Sequence, residues 1–192
     1  RGSLKSSFVS LELIYNIMRD SQSGNFTNAV VLMKIKEGLN NSVKEQLAWA
    51  IYMLGVEQYW HIPEQKLEII YKPTRQKVLF RGSDNPRKLK GLKFAVGYCK
   101  YVWFEECDMF NGMEEIRSIL QSLTRGGENF SIFYTYNPPK SNRNWVNREF
   151  AQSKDNRIVH RSTYLNAPKE WLGNKFILEA EHLRKTNELA YR

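Results

Sequence analysis

Short apolar runs alternate with helix-periodic segments along almost the whole of this chain, and that alternation limits the fold more than any other feature. Residues 6–19 place Phe8, Val9, Leu11, Leu13, Ile14, Ile17 and Met18 at helical spacing. Residues 27–36, TNAVVLMKIK, form an apolar run that is read as a buried strand. Residues 40–55 open on Asn and Ser caps and end at Gly55, which predicts a second helix. The stretch 67–81 reads as two strands about the turn KPTRQ, and 82–91 as a basic loop or short turn. Strand signals follow at 100–106 and 130–137, the latter closed by Pro138 and Pro139. Between them lies a helix over 111–127, closed by Gly126 and Gly127. A helix starts in 141–152, a last strand is expected over 156–166, and the chain turns helical from Pro168. Strands alternating with helices predict an α/β fold with a mainly parallel sheet covered by helices on both faces.

Composition narrows the function. The 192 residues are 42% hydrophobic and 13% aromatic, which suits a globular core rather than a disordered chain. No apolar run approaches the roughly 18–20 residues that span a bilayer, so no membrane partner is expected. No apolar signal segment follows the opening RGSLKSS. Cys99 and Cys107 are too few for a disulfide framework and point to a reduced, cytoplasmic protein. His61, His160 and His182 are scattered and suggest no metal site. The net charge of +9 is unevenly spread: residues 72–93 carry Lys72, Arg75, Lys77, Arg81, Arg87, Lys88, Lys90 and Lys93 against Asp84 alone. That stretch is either a contact for nucleic acid or a solvated hairpin face.

Two segments carry chemistry. Arg1-Gly2-Ser3-Leu4-Lys5-Ser6-Ser7 stands directly before the first helix, where a phosphate-binding loop of the G-x-x-x-x-G-K-[ST] kind would stand. In such a loop, backbone N–H groups and the helix N-terminus cradle phosphate oxygens, a lysine reaches the β- and γ-phosphates, and the next hydroxyl meets Mg2+. Lys5 and Ser6 match those two positions, while Leu4 stands where the second glycine belongs. The first glycine would lie upstream of Arg1, so the chain reads as a fragment. About a hundred residues on, Tyr101-Val102-Trp103-Phe104-Glu105-Glu106 is an apolar strand ending in two acids. One acid is suited to hold Mg2+ and the other to polarise a water that attacks the γ-phosphate. Neighbours on a strand point to opposite faces, so both acids serve one site only if the strand stops there.

These motifs, in this order, resemble the large terminase subunit of tailed bacteriophages, in particular its PBSX-type branch. RGSLKSS is similar to the branch's GGRGSxKSS loop, in which a residue other than glycine at the Leu4 position is tolerated. VWFEECDMF resembles the family's acidic strand end, VLFRGSDNPRKLKG the segment before it, FYTYNPP its coupling motif and HRSTYLNAP the strand and turn that follow. The resemblance spans essentially the whole chain. It implies a P-loop NTPase fold of the additional-strand, catalytic-glutamate type, working as an ATPase motor that moves double-stranded DNA into a procapsid through a portal.

Carried over position by position, the resemblance implies that Gly2, Ser3, Lys5, Ser6 and Ser7 bind the phosphates of ATP. It implies that Ser6 and Glu105 hold Mg2+, that Glu106 activates water, and that Arg1 reaches the γ-phosphate. Thr135 and Asn137 would contact the nucleotide and couple hydrolysis to movement. The portal protein, the small terminase subunit and a homo-oligomeric ring are the implied partners, in the host cytoplasm. Residues 1–165 would form the ATPase core, and 166–192 a helical segment leading towards a nuclease domain not contained in the chain. A different P-loop translocase or helicase, and a non-catalytic basic DNA-binding module, are the alternative readings.

Overall fold

The computed structural model describes residues 3–36, 39–83 and 87–187. The elements are helix α1 (Lys5–Gln22), strand β1 (Thr27–Met33), a π-helical turn (Leu39–Lys44) running into α2 (Glu45–Met53), β2 (Trp60–His61), β3 (Glu68–Tyr71), β4 (Lys77–Gly82), the short α3 (Arg87–Lys90), β5 (Tyr98–Phe104), α4 (Met113–Leu123), β6 (Ser131–Tyr134), α5 (Trp145–Ala151), α6 (Lys169–Leu172) and α7 (Asn174–Thr186). The chain divides into two compact units, Ser6–Arg157 and Arg1–Lys5 with Ile158–Arg192.

The larger unit holds one six-stranded sheet in the order β2-β3-β4-β1-β5-β6. β4, β1, β5 and β6 run parallel, and β2 and β3 extend the sheet antiparallel at one edge. Every residue of β1 is buried, as an apolar run between two parallel neighbours requires. Side-chain alternation divides the core in two. Ala29, Val31, Phe80, Tyr101 and Trp103 pack with Val9, Leu13, Ile14 and Ile17 of α1 and Leu47 and Ile51 of α2. Val30, Leu32, Val102 and Phe104 pack with Ile116, Ile119 and Leu123 of α4 and Val146 and Phe150 of α5. Each fully buried Leu, Ile or Phe contributes roughly 1.5–3 kcal/mol, so these two layers, rather than the polar contacts described below, set the frame.

Most expected elements form, with three corrections. The helix expected over 40–55 begins as the π-helical turn Leu39–Lys44, and α2 proper runs from Glu45 to Met53; Lys44 before it already has helical angles and makes no capping side-chain hydrogen bond. The π-helical turn supplies the preceding carbonyls, and the Lys44 ammonium donates instead to the carbonyls of Pro63 and Glu64, at 2.5 and 3.1 Å. The strand expected at 130–137 is only Ser131–Tyr134. No strand forms over 156–166. A strand needs a neighbouring ladder, none of the six strands pairs with this segment, and Ile158 is 96% exposed. The chain is helical from Lys169, with a break at Gly173, whose φ of 74° favours glycine; α6 and α7 bury no side chain. Among the described residues, no helix is long and apolar enough to cross a membrane, and no group of His, Cys, Asp and Glu could by itself hold a metal. Both cysteines are free and buried, and burial pushes their thiols up to about 12.

Candidate functional site

The alternation of β5 dictates where its acidic end points. Tyr101 and Trp103 face α1, so the next residue in that row, Glu105, is delivered towards the start of α1. The Glu105 N–H still donates to the Leu32 carbonyl of β1 at 2.9 Å, which holds it in register one residue past the strand. The hydroxyl of Ser6, in the first turn of α1, donates to Glu105 Oε1 at 2.6 Å across 99 residues of sequence. Thr135, one residue past β6, donates its hydroxyl to Glu105 Oε2. Its N–H donates to the Phe104 carbonyl at 3.0 Å, and its own carbonyl accepts from the Cys107 N–H at 2.9 Å. The structure thus brings together Ser6, Glu105 and Thr135, residues that the sequence keeps far apart.

The strand stops where a shared acidic site requires. β5 ends at Phe104, and Glu106 takes a left-handed conformation, φ 52° and ψ 49°, before a 3-10 turn over Cys107–Met109. A left-handed glutamate is uncommon outside glycine-type positions and turns the chain sharply out of the sheet. Glu106 is exposed, and its carboxylate has no hydrogen-bond or ion-pair partner among the described residues. Glu105 and Glu106 are therefore neighbours in sequence with opposite states, one bridged by two hydroxyls and the other uncommitted.

The other expected residues are placed as follows. Leu4 has φ 55°, so a leucine holds the left-handed conformation that glycine adopts without cost. Lys5 opens α1, and its ammonium donates to the Ser3 hydroxyl at 2.7 Å; the Ser3 carbonyl accepts from the Ser162 hydroxyl at 3.1 Å. Ser7 accepts from the Gln46 side-chain amide of α2 at 3.3 Å. Asn137 is exposed, beyond the end of β6. Arg1 and Gly2 lie outside the described residues.

The described basic side chains of the 72–93 stretch do not form one surface, and those of Arg87 and Lys88 lie outside the described residues. Lys72 and Arg75 sit in the turn before β4, while Lys90 and Lys93 follow its far end. β4 is parallel to β1, as β5 is, so the first pair lies at the edge of the sheet opposite Glu105. Between them, Lys77 pairs with Glu68 at 3.0 Å. The half-buried Arg81 donates to the Phe80 and Leu67 carbonyls at 2.8 and 3.4 Å, and burial lowers its pKa although Glu68 opposes the shift.

Sequence reasoning missed two groups beside the site. Lys34, just past β1, donates to both oxygens of Glu115 at 2.7 and 2.9 Å, and Glu115 also accepts from the Asn111 N–H at 2.8 Å. This ties the end of β1 to the start of α4 and to the loop that follows Glu106. Its one sequence signal was that the apolar run of β1 ends on a lysine. Trp103, which reads as a core residue, donates its indole N–H to the Thr135 hydroxyl at 2.6 Å.

A mainly parallel sheet, with a serine in the first turn of a helix facing a carboxylate at a strand end, is the layout of a P-loop NTPase fold, and solved structures share the fold. The chain superposes on the large terminase of bacteriophage HK97 with a TM-score of 0.56 at 11% identity, covering 76% of this chain and 29% of that one. With the large terminase ATPase domain of Thermus phage P74-26 the TM-score is 0.55 at 15% identity, over 100% of this chain and 82% of the domain. The family model described as phage terminase large subunit matches residues 1–192, and the chain belongs to that family. It is 35% identical over 198 residues to the terminase large subunit of Bacillus phage SPP1, covering 100% of this chain and 45% of that relative's length.

Proposed function

We propose that this chain is the ATP-hydrolysing part of a viral packaging motor, in which hydrolysis drives double-stranded DNA into a procapsid. The observation that carries the reading is the 2.6 Å hydrogen bond from Ser6 to Glu105, which joins the first turn of α1 to the end of β5. A hydroxyl and a carboxylate are hard oxygen donors and fit a magnesium ion. Ser6 and Glu105 would hold it, and the ion would offset the negative charge of the phosphates. Lys5, with the backbone of Gly2 and Ser3 and the Ser7 hydroxyl, binds and orients the phosphates. Glu106, whose carboxylate is uncommitted, accepts a proton from the attacking water. Thr135, bonded to Glu105 and standing at the end of β6, passes the state of the site to the sheet edge, with Asn137 beyond it. Arg1 reaches the γ-phosphate from the loop.

In this reading the partners are double-stranded DNA, a portal protein and a small terminase subunit, with a homo-oligomeric ring as the working form in the host cytoplasm. Residues 1–165 form the ATPase core, and 166–192 lead towards a nuclease domain, so no DNA cleavage is assigned to residues 1–192. The test is ATP hydrolysis and packaging by the whole protein. Lys5→Ala should abolish both, because the phosphates lose their cation while the fold keeps its core. Hydrolysis by Lys5→Ala at the parent rate would contradict the assignment of this loop.

A further inference from the structure

Trp103 is fully buried on the α1 face of β5, a position that any large apolar side chain would fill. An indole brings an N–H donor into the core, and leaving such a group unpaired costs about 1–3 kcal/mol. The fold does not match every such donor: the indole N–H of the buried Trp60 has no partner among the described residues. Trp103 Nε1 has one, the Thr135 hydroxyl at 2.6 Å. Thr135 is itself 5% exposed and has one proton to give. The indole can only donate, so it fills a lone pair of the hydroxyl oxygen and leaves that proton two acceptors. One is the Phe104 carbonyl, at a long 3.4 Å; the other is Glu105 Oε2. The charged oxygen is the stronger acceptor. The other oxygen of Glu105 accepts from Ser6.

We propose that Trp103 is a positioning residue for the ATPase site: its indole N–H fixes the Thr135 hydroxyl so that the proton points at Glu105. The order is Trp103 to Thr135 to Glu105, with Ser6 closing the chain from the other side. Each residue comes from a different place, β5, the end of β6, the residue after β5 and the first turn of α1. The chain of bonds therefore fixes the carboxylate relative to three elements at once. Trp103 touches no substrate and acts only through Thr135. This inference rests on the ATPase reading for its effect on rate, but not for its effect on the hydrogen bonds themselves.

Two measurements test it. The first is single-turnover ATP hydrolysis by the whole protein. Trp103→Phe keeps an aromatic ring in the core and removes the donor, so hydrolysis should slow about 3- to 10-fold, the worth of one hydrogen bond. Thr135→Val should slow it at least as much, and the double variant should be no slower than Thr135→Val alone, because both changes break one path. Thr135→Ser should retain most of the rate. If Trp103→Phe fails to fold, β-(3-benzothienyl)alanine at position 103 removes the N–H without changing the shape. A parent-like rate without the donor, or losses that multiply in the double variant, would overturn the proposal.

The second measurement does not depend on hydrolysis. In 15N-tryptophan-labelled protein the Trp103 indole resonance should move on Thr135→Val and on Glu105→Gln, and less on Thr135→Ser. An indole resonance indifferent to Glu105→Gln would overturn the proposal whether or not the protein hydrolyses ATP. An inactive parent with the expected indole shifts would instead count against the ATPase reading alone.

Discussion

The two edges of the sheet use the same chemistry to opposite ends. At the edge where the parallel strands begin, Asp20 of α1 is 5% exposed, and one of its oxygens accepts from Thr27 at 2.9 Å, Lys100 at 2.8 Å and Tyr101 at 2.5 Å. Burial alone would raise its pKa, but the donors, Lys100 first, outweigh that and hold it below the ordinary value. Nearby, Asn28 donates to the carbonyls of Val96 and Tyr98 and accepts from the Lys77 N–H, and Gln76 donates to the Thr27 carbonyl. These groups are saturated with partners and close that edge. At the edge where the strands end, Glu105 is held by hydroxyls, and Glu106 stands in solvent, uncommitted among the described residues. A carboxylate surrounded by protein donors fixes the fold. One left open in solvent is available to a ligand.

This contrast is sharpest for Glu106→Gln, which keeps shape and removes the base. Single-turnover hydrolysis by the whole protein should fall by a factor of about 10²–10⁴, with thermal stability unchanged because the exposed carboxylate holds no part of the described fold. Asp20→Asn should behave in the reverse way. It leaves Lys100 without its counter-charge and should cost about 3 kcal/mol in a urea melt, with the site's ATP affinity unchanged in the folded protein. The sign with pH follows from the lowered pKa. Asp20 contributes its full stability above the ordinary carboxylate value of 3.8, and the contribution fades as pH falls below it through the folded value. Melts from pH 7 to pH 3 should therefore show the gap between parent and Asp20→Asn narrowing at the acid end.

Smaller effects separate the edges further. Lys90→Ala with Lys93→Ala should make DNA binding less sensitive to salt, the log–log slope shrinking by about 0.9 for each phosphate that the pair neutralises. Lys72→Ala with Arg75→Ala, at the opposite edge, should leave that slope unchanged. The reverse result would place DNA at the closed edge. The smallest effect belongs to Leu4→Gly. Relief of the left-handed leucine should stabilise the protein by no more than about 1–2 kcal/mol in a thermal melt, and leave ATP affinity at least as high.

Much of this contrast was legible in the sequence. Apolar period and length placed α1, β1, the β3–β4 pair, β5 and α4, because two-sided burial of parallel strands writes itself into runs such as AVVLM and YVWF. The strand expected over 100–106 runs instead from Tyr98 to Phe104, so both acids lie past its end, which is the condition under which they can serve one site. The basic stretch is continuous only along the chain: six residues of β4 carry its two halves to opposite ends of the strand, and Lys77 and Arg81 turn to partners within the fold. The expected 156–166 strand does not form, as alternating residues make a strand only where a neighbour supplies the ladder. Asp20, Lys34 with Glu115, and the bond of Trp103 to Thr135 join residues tens of positions apart, and no local pattern announces them.

The central claim is that Glu105 and Glu106, adjacent in sequence, hold different offices in one ATP site. ATP affinity in the presence of Mg2+, measured side by side for Glu105→Gln and Glu106→Gln in the whole protein, tests it most directly. Glu105→Gln should weaken binding, and the loss should shrink when Mg2+ is withheld, because Glu105 is the carboxylate bonded to the Ser6 hydroxyl. Glu106→Gln should bind ATP as the parent does while failing to hydrolyse it. Equal affinities for the two variants, or weaker binding by Glu106→Gln alone, would contradict the account.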